Sequence, residues 1–402
     1  MRILVVNCHW GNRGDEAAIR AMLNEIQFRY PEAEIFVQSA LGSFGSFPEN
    51  EHVKVIPTFP GKRIRNLPID YISVITNGRI NLSSDAKLFF DILKTSDIVV
   101  HAPGGPSIGD IYYRQERIKL WRLDLIRKSG VPYFFYAPSM GPFKKKTRNR
   151  IRKLVIEQAK MIVLREELSA QMVKEFVPNS SPIVTLDSAF QYTIDQHHEQ
   201  SIYERDVDLV NFIGTGENVI GVTITDLQWN AAYNKDNTFA LKIRDVFSKF
   251  IKYLSNHGYR VLFIPQLFGG DGDEKYMTSF AGENCFVVSS KNDCFYQQFI
   301  ISKLKAVVGM RYHSNIFSAK MGTPFISVSY EQKMLGFMGK AGLRDYCIKM
   351  NDLSFDKLVE KFNLLVDNYD EYKAYLLTKQ SDFKNQSYKT TELLCDCIES
   401  LS

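Results

Sequence analysis

Ala306-Val-Val-Gly-Met-Arg-Tyr-His-Ser-Asn-Ile-Phe-Ser-Ala-Lys-Met-Gly-Thr-Pro-Phe-Ile-Ser-Val-Ser-Tyr330 is the stretch whose reading decides the fold. Its first three residues are an apolar run of strand type, and Gly309 marks a turn. Ser314 to Lys320 carries a helical pattern closed by Gly322, and Thr323-Pro324 restarts an extended run from Phe325 to Val328. Strand, turn, helix, turn and strand make one βαβ unit of a parallel sheet. Ligands of such sheets bind beyond the carboxyl ends of the strands. Arg311 and His313 fall there, at the first turn of the helix with Ser314 beside them, where backbone N–H groups and the helix dipole favour an anion. A guanidinium, an imidazole and a helix N-terminus describe an anion site next to a proton carrier. The competing reading makes Arg311 a surface ion-pair residue and His313 a capping or core histidine.

A chain of 402 residues is long enough for two domains with cores of their own. With 45% hydrophobic and 24% charged residues, the composition is that of an ordinary globular protein. A formal net charge of +5 is too modest to imply a nucleic-acid partner, and none is expected. The six cysteines are scattered without a CxxC pair, which suits a reducing compartment and argues against a structural zinc. Met1 to Asn7 reads as a strand and not as a signal peptide, and no apolar run reaches the length of a membrane span. A cytoplasmic protein is expected.

The first strand runs into Asn12-Arg-Gly14-Asp15-Glu16, after which Ile19, Met22, Leu23 and Ile26 mark one apolar helix face. Gly14 permits close backbone approach to a ligand, while Asp15 and Glu16 in a first turn are also ordinary capping residues. Residues between Ile56 and Asp85, with Pro57, Pro60, Pro68 and the basic run Lys62-Arg63-Ile64-Arg65, are expected to form an irregular insertion. Three further strand-end loops follow: Gly104-Gly105, the segment around Ser139, and Arg165-Glu166-Glu-Leu-Ser169. Lys144 to Lys153 holds seven basic residues in ten, read as a solvated face or as a landing patch for an anionic membrane surface. Residues 191–217 are polar and read as a linker or excursion between domains. The alternation restarts at Val219 and reaches Gln266 and the Gly269-Gly270-Asp271 loop on the ligand side of a second sheet.

Asn12-Arg-Gly14-Asp15, Arg165-Glu166-Glu-Leu-Ser169, Gly309-Met-Arg311-Tyr-His313 and Tyr330-Glu-Gln-Lys333 occur in this order, each at a predicted strand end. In this ordered set the chain resembles the polysaccharide pyruvyl transferase family, from about residue 3 to residue 343. The resemblance implies an α/β fold with two Rossmann-like domains facing across a cleft, as in GT-B enzymes. The domains are expected at 1–190 and 218–345, with C-terminal helices at 346–402 packing back on the first. It also implies transfer of a pyruvyl group from phosphoenolpyruvate to two hydroxyls of a sugar, in a surface polysaccharide or its lipid-linked precursor, without a metal or other cofactor. Two loops depart from the family pattern. The Gly-rich loop reads His101-Ala-Pro-Gly104-Gly105 where Gly-Gly-Gly is common, and Ala137-Pro-Ser139 stands where Gln-Ser or Gln-Gly is usual.

Under that resemblance His313 is the general acid and Asp15 the base or acceptor orienter. Arg311 and Arg165 anchor the doubly anionic donor by charge-assisted bonds. Asn12, Gly14, Glu16, Gly104, Gly105, Ser139, Gln266, Ser314, Tyr330 and Lys333 complete the expected substrate contacts. A GT-B glycosyltransferase using a nucleotide sugar would share the fold and the anion site, and a non-catalytic glycan-binding protein would share the fold alone.

Overall fold

The computed structural model describes residues 1–402 except 9–10, 40–49, 62–66, 231, 235, 268–271 and 402. The basic run at 62–65 and the glycine pair at 269–270 therefore lie outside the described residues. The chain divides into two compact units. Unit 1 comprises residues 1–10, 18–191 and 386–402, and unit 2 comprises residues 11–17 and 192–385.

Unit 1 contains β1 (Arg2–Cys8), most of α1 (Arg13–Arg29), β2 (Glu34–Ser39), β3 (Val53–Pro57), α2 (Leu67–Ile75), α3 (Ser84–Thr95), β4 (Ile98–His101), β5 (Gly104–Ile108), α4 (Tyr113–Ser129), β6 (Tyr133–Tyr136), β7 (Pro138–Met140), α5 (Asn149–Glu157), β8 (Met161–Leu164), α6 (Glu167–Phe176) and β9 (Ile183–Val184). Seven of these strands form a parallel sheet in the order β3-β2-β1-β4-β6-β8-β9. Alternation along β1 divides the core. Ile3 and Val5 pack with Ile19, Met22 and Ile26 of α1, whereas Leu4 and Val6 pack with Phe89 and Leu93 of α3 and Leu120 of α4. Helices on both faces explain why the strands read as unbroken apolar runs.

Unit 2 contains α7 (Gln196–Tyr203), α8 (Val207–Ile213), β10 (Val219–Thr223), α9 (Thr238–Asn256), β11 (Arg260–Phe263), α10 (Asp273–Thr278), β12 (Cys285–Val287), α11 (Cys294–Ser302), β13 (Ala306–Gly309), α12 (Tyr312–Met321), β14 (Phe325–Ser329), α13 (Gln332–Lys340), β15 (Cys347–Lys349) and α14 (Phe355–Asp367). Its six strands are all parallel, in the order β12-β11-β10-β13-β14-β15. The chain starts at β10, winds to one side, then returns to β13 and winds to the other. The carboxyl ends of β10 and β13 are thus the switch point of a doubly wound sheet. The stretch from 306 to 330 folds as expected, with Gly322 closing α12 in the left-handed conformation at φ 73°.

Four expectations change. Residues 191–217 are not a linker: α7 and α8 belong to unit 2, with Tyr192 stacked on Phe295 at 4.3 Å and Tyr203 tilted against Phe299 at 5.8 Å. The insertion before α3 contains α2, whose Pro68 sits in a first turn, where its missing N–H costs little. Of the C-terminal helices, α14 stays on unit 2, with Phe362 edge-on to Phe250. Only from Gln386, within α15 (Tyr369–Glu399), does the chain join unit 1. There Thr391 bonds the Tyr136 hydroxyl at 2.6 Å, and Leu394, Cys397 and Ile398 enter the core.

The basic run 144–153 is also divided. Arg152 is fully buried and bonds Glu116 through Nε and Nη2, both at 2.8 Å, while Arg148 adds a second cation at 3.1 Å. The same Glu116 accepts the Gly109 N–H at 2.7 Å, so it ties α5 to the loop after β5. Lys144, Lys145, Lys146, Arg150 and Lys153 remain exposed. Glu116→Ala strands the buried Arg152 beside a single carboxylate, Asp110, at 2.8 Å. The expected loss is about 3–5 kcal/mol of unfolding free energy in denaturant titrations, and an unchanged midpoint would refute the assignment.

Candidate functional site

The switch point of unit 2 collects the site. Gly309 ends β13 where α12 begins, and a side chain there would collide with the side chains of Ser314 and Asn315. Ser314 donates to the Arg311 carbonyl at 2.7 Å and bonds Thr223 of β10 at 2.8 Å, while Asn315 reaches Ser327 of β14 at 2.8 Å. These bonds fix the first turn of α12 over three adjacent strands. The Ser314 side chain is wholly buried with its hydroxyl committed to the scaffold, where it holds the Arg311 carbonyl.

Arg311 occupies the N-cap position of α12 with extended backbone. Its guanidinium meets the Asp273 carboxylate edge to edge: Nε donates to Oδ2 at 3.0 Å and Nη2 to Oδ1. Asp273 in turn accepts the backbone N–H groups of Gln266 and Leu267 at 3.1 and 2.9 Å. Burial by itself would lower the Arg311 pKa, but Asp273 and the Tyr330 hydroxyl outweigh it and hold the guanidinium charged. Burial pushes the Tyr330 hydroxyl upward, against the pull of Arg311. The Arg311 side chain keeps 12% of its surface exposed, over the ring of Trp229 at 5.7 Å. It faces a cleft of about 370 Å³ lined by Thr225, Asp226, Trp229, Arg244, Asp273 and Tyr276, among others.

The Gly11–Ala17 segment belongs to the same unit. Asn12 pairs with Leu267 as an isolated bridge, and the Arg13 N–H donates to the Gln266 carbonyl at 2.9 Å. The buried Arg13 side chain reaches Glu16 at 2.6 Å and the Ser290 carbonyl at 2.7 Å. Asn12 and Asp15 cap one another: Asn12 Oδ1 accepts the Asp15 N–H at 2.8 Å, and Asn12 Nδ2 donates to Asp15 Oδ2 at 2.7 Å. Gly14 then lies against His313, and a Cβ built on Gly14 would fall inside the imidazole ring. The glycine is therefore required by side-chain packing and not by a left-handed backbone. His313, buried on the first turn of α12, has Tyr312 edge-on at 4.9 Å. Gly14, Asp15, Arg311 and His313 are thus gathered within one unit.

Several residues expected to contact substrate have partners within the protein. Glu16 is buried against Arg13, and Gln266 turns its side chain to Gln297 at 3.0 Å. Lys333 pairs with Glu331 at 2.7 Å and lies 5.5 Å from the Tyr312 ring centre. In unit 1, Arg165 is buried in an ion pair with Asp187 at 2.5 Å and donates to Ser139 at 3.0 Å. Ser169 bonds Glu166 at 2.6 Å and the Met140 carbonyl at 2.9 Å. The Arg165 motif therefore anchors the β7 strand, and its charge is already matched. Gly104, at φ 141°, pairs with Pro138 in the short β5–β7 ladder, whereas a Cβ on Gly105 would make only ordinary contact with Tyr112. His101, behind that loop, is also structural. Its Nδ1 donates to the Ala102 carbonyl at 2.8 Å, and its Nε2 faces Ser107 at 2.6 Å. Burial pushes its pKa down to about 3, so the ring is neutral.

Sequence reasoning missed Asp273, Arg13, Trp229 and Tyr276. Asp273 had one local signal, its place just after a glycine-rich strand end; nothing in its neighbours pairs it with Arg311. Among the described residues no cluster of three or more metal-ligating side chains occurs.

A family model described as polysaccharide pyruvyl transferase matches residues 12–332. The amylovoran biosynthesis protein AmsJ of Erwinia amylovora is 25% identical over 400 residues, covering 92% of this chain and 93% of that protein. Among solved structures, UDP-GlcNAc 2-epimerase from Neisseria meningitidis superposes with a TM-score of 0.59 at 12% identity, covering 98% of this chain and 100% of the other. Arabidopsis thaliana UGT89C1 complexed with UDP-L-rhamnose gives 0.59 at 12%, covering 99% of both chains. At such identities these structures establish the fold alone: α/β, with two Rossmann-like units of the GT-B class.

Gly14→Ala should force the imidazole of His313 out of its place. Overpacking of this kind costs about 1–3 kcal/mol, read as a lowered melting temperature. A melting curve and His313 NMR signals identical to the parent would contradict the contact.

Proposed function

The chain belongs to the polysaccharide pyruvyl transferase family and acts as a transferase in polysaccharide synthesis; from that premise we propose that it moves the pyruvyl group of phosphoenolpyruvate onto two hydroxyls of a sugar, as a cyclic ketal. The acceptor is a surface polysaccharide or its lipid-linked precursor. The observation that carries this reading is the packing of Gly14, next to Asp15 in sequence, against His313 in the unit that holds Arg311. One unit thereby holds a proton carrier, a carboxylate and a fixed cation, with His313 and Arg311 at the N-terminus of α12.

Arg311 and the N-terminal end of α12 meet the anionic donor. Asp273 holds the guanidinium in one orientation, so little ordering is left to occur on binding. His313 delivers a proton to the enol methylene, and C2 becomes an oxocarbenium-like electrophile. One sugar hydroxyl adds to C2 and gives its proton to Asp15. The C2–O bond to phosphate breaks as the leaving phosphate takes the proton from Asp15, and the second hydroxyl adds to close the ketal, returning its proton to the His313 imidazole. Atoms balance as phosphoenolpyruvate plus a diol going to ketal plus phosphate. The exposed ring of Trp229 offers a sugar an apolar face beside Arg311. Arg165, matched by Asp187, serves here as a positioning residue for Ser139.

Phosphate release from phosphoenolpyruvate by the purified protein with candidate glycans tests the proposal. His313→Ala should lower kcat by roughly 10²–10⁴-fold. Arg311→Ala should raise KM as well as lower kcat, and Arg311→Lys should not restore it, because an ammonium cannot pair edge to edge with Asp273. Turnover of a nucleotide sugar, with none of phosphoenolpyruvate, would assign the site to glycosyl transfer instead.

A further inference from the structure

Helix α2 is amphipathic in the wrong sense for a free surface. Asp70 and Ser73 face inward and are buried, with Asp70 accepting from the Gly61 N–H at 2.9 Å and the Ser83 hydroxyl at 3.1 Å. Tyr71 and Ile75 point outward, 47% and 58% exposed. Exposed apolar side chains recur along the sequence through the turn into α3. Of the thirteen large hydrophobic side chains exposed among the described residues, six (Ile69, Tyr71, Ile75, Ile80, Leu82 and Leu88) fall within residues 69–88. Scattered exposed hydrophobics are ordinary, but a run of six is not.

The surroundings of this patch indicate what covers it. Tyr71 lies 5.6 Å from Trp121 of α4, and Arg117 stacks over Trp121 at 5.2 Å. Arg114, one turn earlier on α4, is exposed with Arg117, as are Arg79 and Lys87 of the α2–α3 segment. The acids on α3 outside the core are Asp85, half-buried, and Asp91, exposed; Glu116, between the two arginines, is buried on Arg152. Aliphatic side chains, two aromatic rings and a cationic rim are the composition of a surface that enters the boundary between lipid headgroups and acyl chains. No helix among the described residues is long and apolar enough to cross a membrane, so any such contact through them is peripheral.

We propose that the outer face of α2 and the turn into α3, with Arg114 and Arg117 beside it, docks unit 1 on an anionic lipid bilayer. Residues 69–88 lie in the apolar boundary and the arginines meet lipid phosphates. The exposed lysines of 144–153 are not needed for this contact, and Arg148 and Arg152 are spent on Glu116.

Flotation of the full chain with vesicles tests it, comparing phosphatidylglycerol and phosphatidylcholine at about 1:3 with phosphatidylcholine alone. The parent should float with the anionic vesicles, at least about 10-fold above the neutral ones at low salt and progressively less as salt screens the arginines. Tyr71→Ser with Ile75→Ser should abolish flotation. Arg114→Gln with Arg117→Gln should reduce it to the neutral-vesicle level, and circular dichroism with thermal melting should show both variants folded. Should the serine variant fail to fold, the glutamine variant, changed only at exposed positions, decides. Failure of the parent to float overturns the proposal, as does flotation of the variants equal to the parent. A concentration-dependent dimer in size exclusion that Tyr71→Ser with Ile75→Ser dissolves, without vesicle binding, would overturn it by assigning the face to a second copy.

Discussion

Gly14 has no side chain, and the imidazole of His313 occupies the space that one would fill. Two motifs far apart in sequence become one site through this contact. The Arg13 N–H held by the Gln266 carbonyl, and the Arg13 guanidinium held by Glu16 and Ser290, keep the loop seated. Asp15, next to Gly14 in sequence and bonded to Asn12, is carried on the same loop.

Several buried arginines of the described residues are each matched by a carboxylate, although buried Arg122 meets only the Phe59 carbonyl and Asn7 Oδ1. Arg311 has Asp273, Arg165 has Asp187, and Arg152 has Glu116. Removing a guanidinium from water without a partner costs several kcal/mol, and at these three positions a carboxylate offsets that cost. The consequence for function differs with exposure. Arg165 and Arg152 are sealed and act on the backbone around them, whereas Arg311 retains an open edge at the cleft beside Trp229. A paired but partly open guanidinium is oriented before the ligand arrives, which is the property that an anion anchor needs.

The βαβ unit from 306 to 330 was legible because its signals are local. A buried strand is an unbroken apolar run, a turn needs glycine, and a helix repeats every three to four residues. The same locality placed Arg311 and His313 at a strand end and Gly14 in a strand-to-helix loop. It failed where polar composition stood in for structure. Residues 191–217 look like a linker, yet Tyr192, Tyr203 and Phe212 each find an aromatic partner, at Phe295, Phe299 and Phe286.

By itself the sequence determined the alternating α/β architecture, the glycine-bearing strand ends and the residue types on offer for an anion and a proton, because these depend on neighbours within one or two turns. Only the tertiary structure decided which charges remain available. Asp273 reaches Arg311 because β11 and β13 flank β10, which brings together two strand ends whose residues stand 38 positions apart. The side chains of Glu16, Gln266, Ser314 and Lys333 find protein partners for the same reason: a polar side chain taken into the interior bonds whatever the strand order sets beside it.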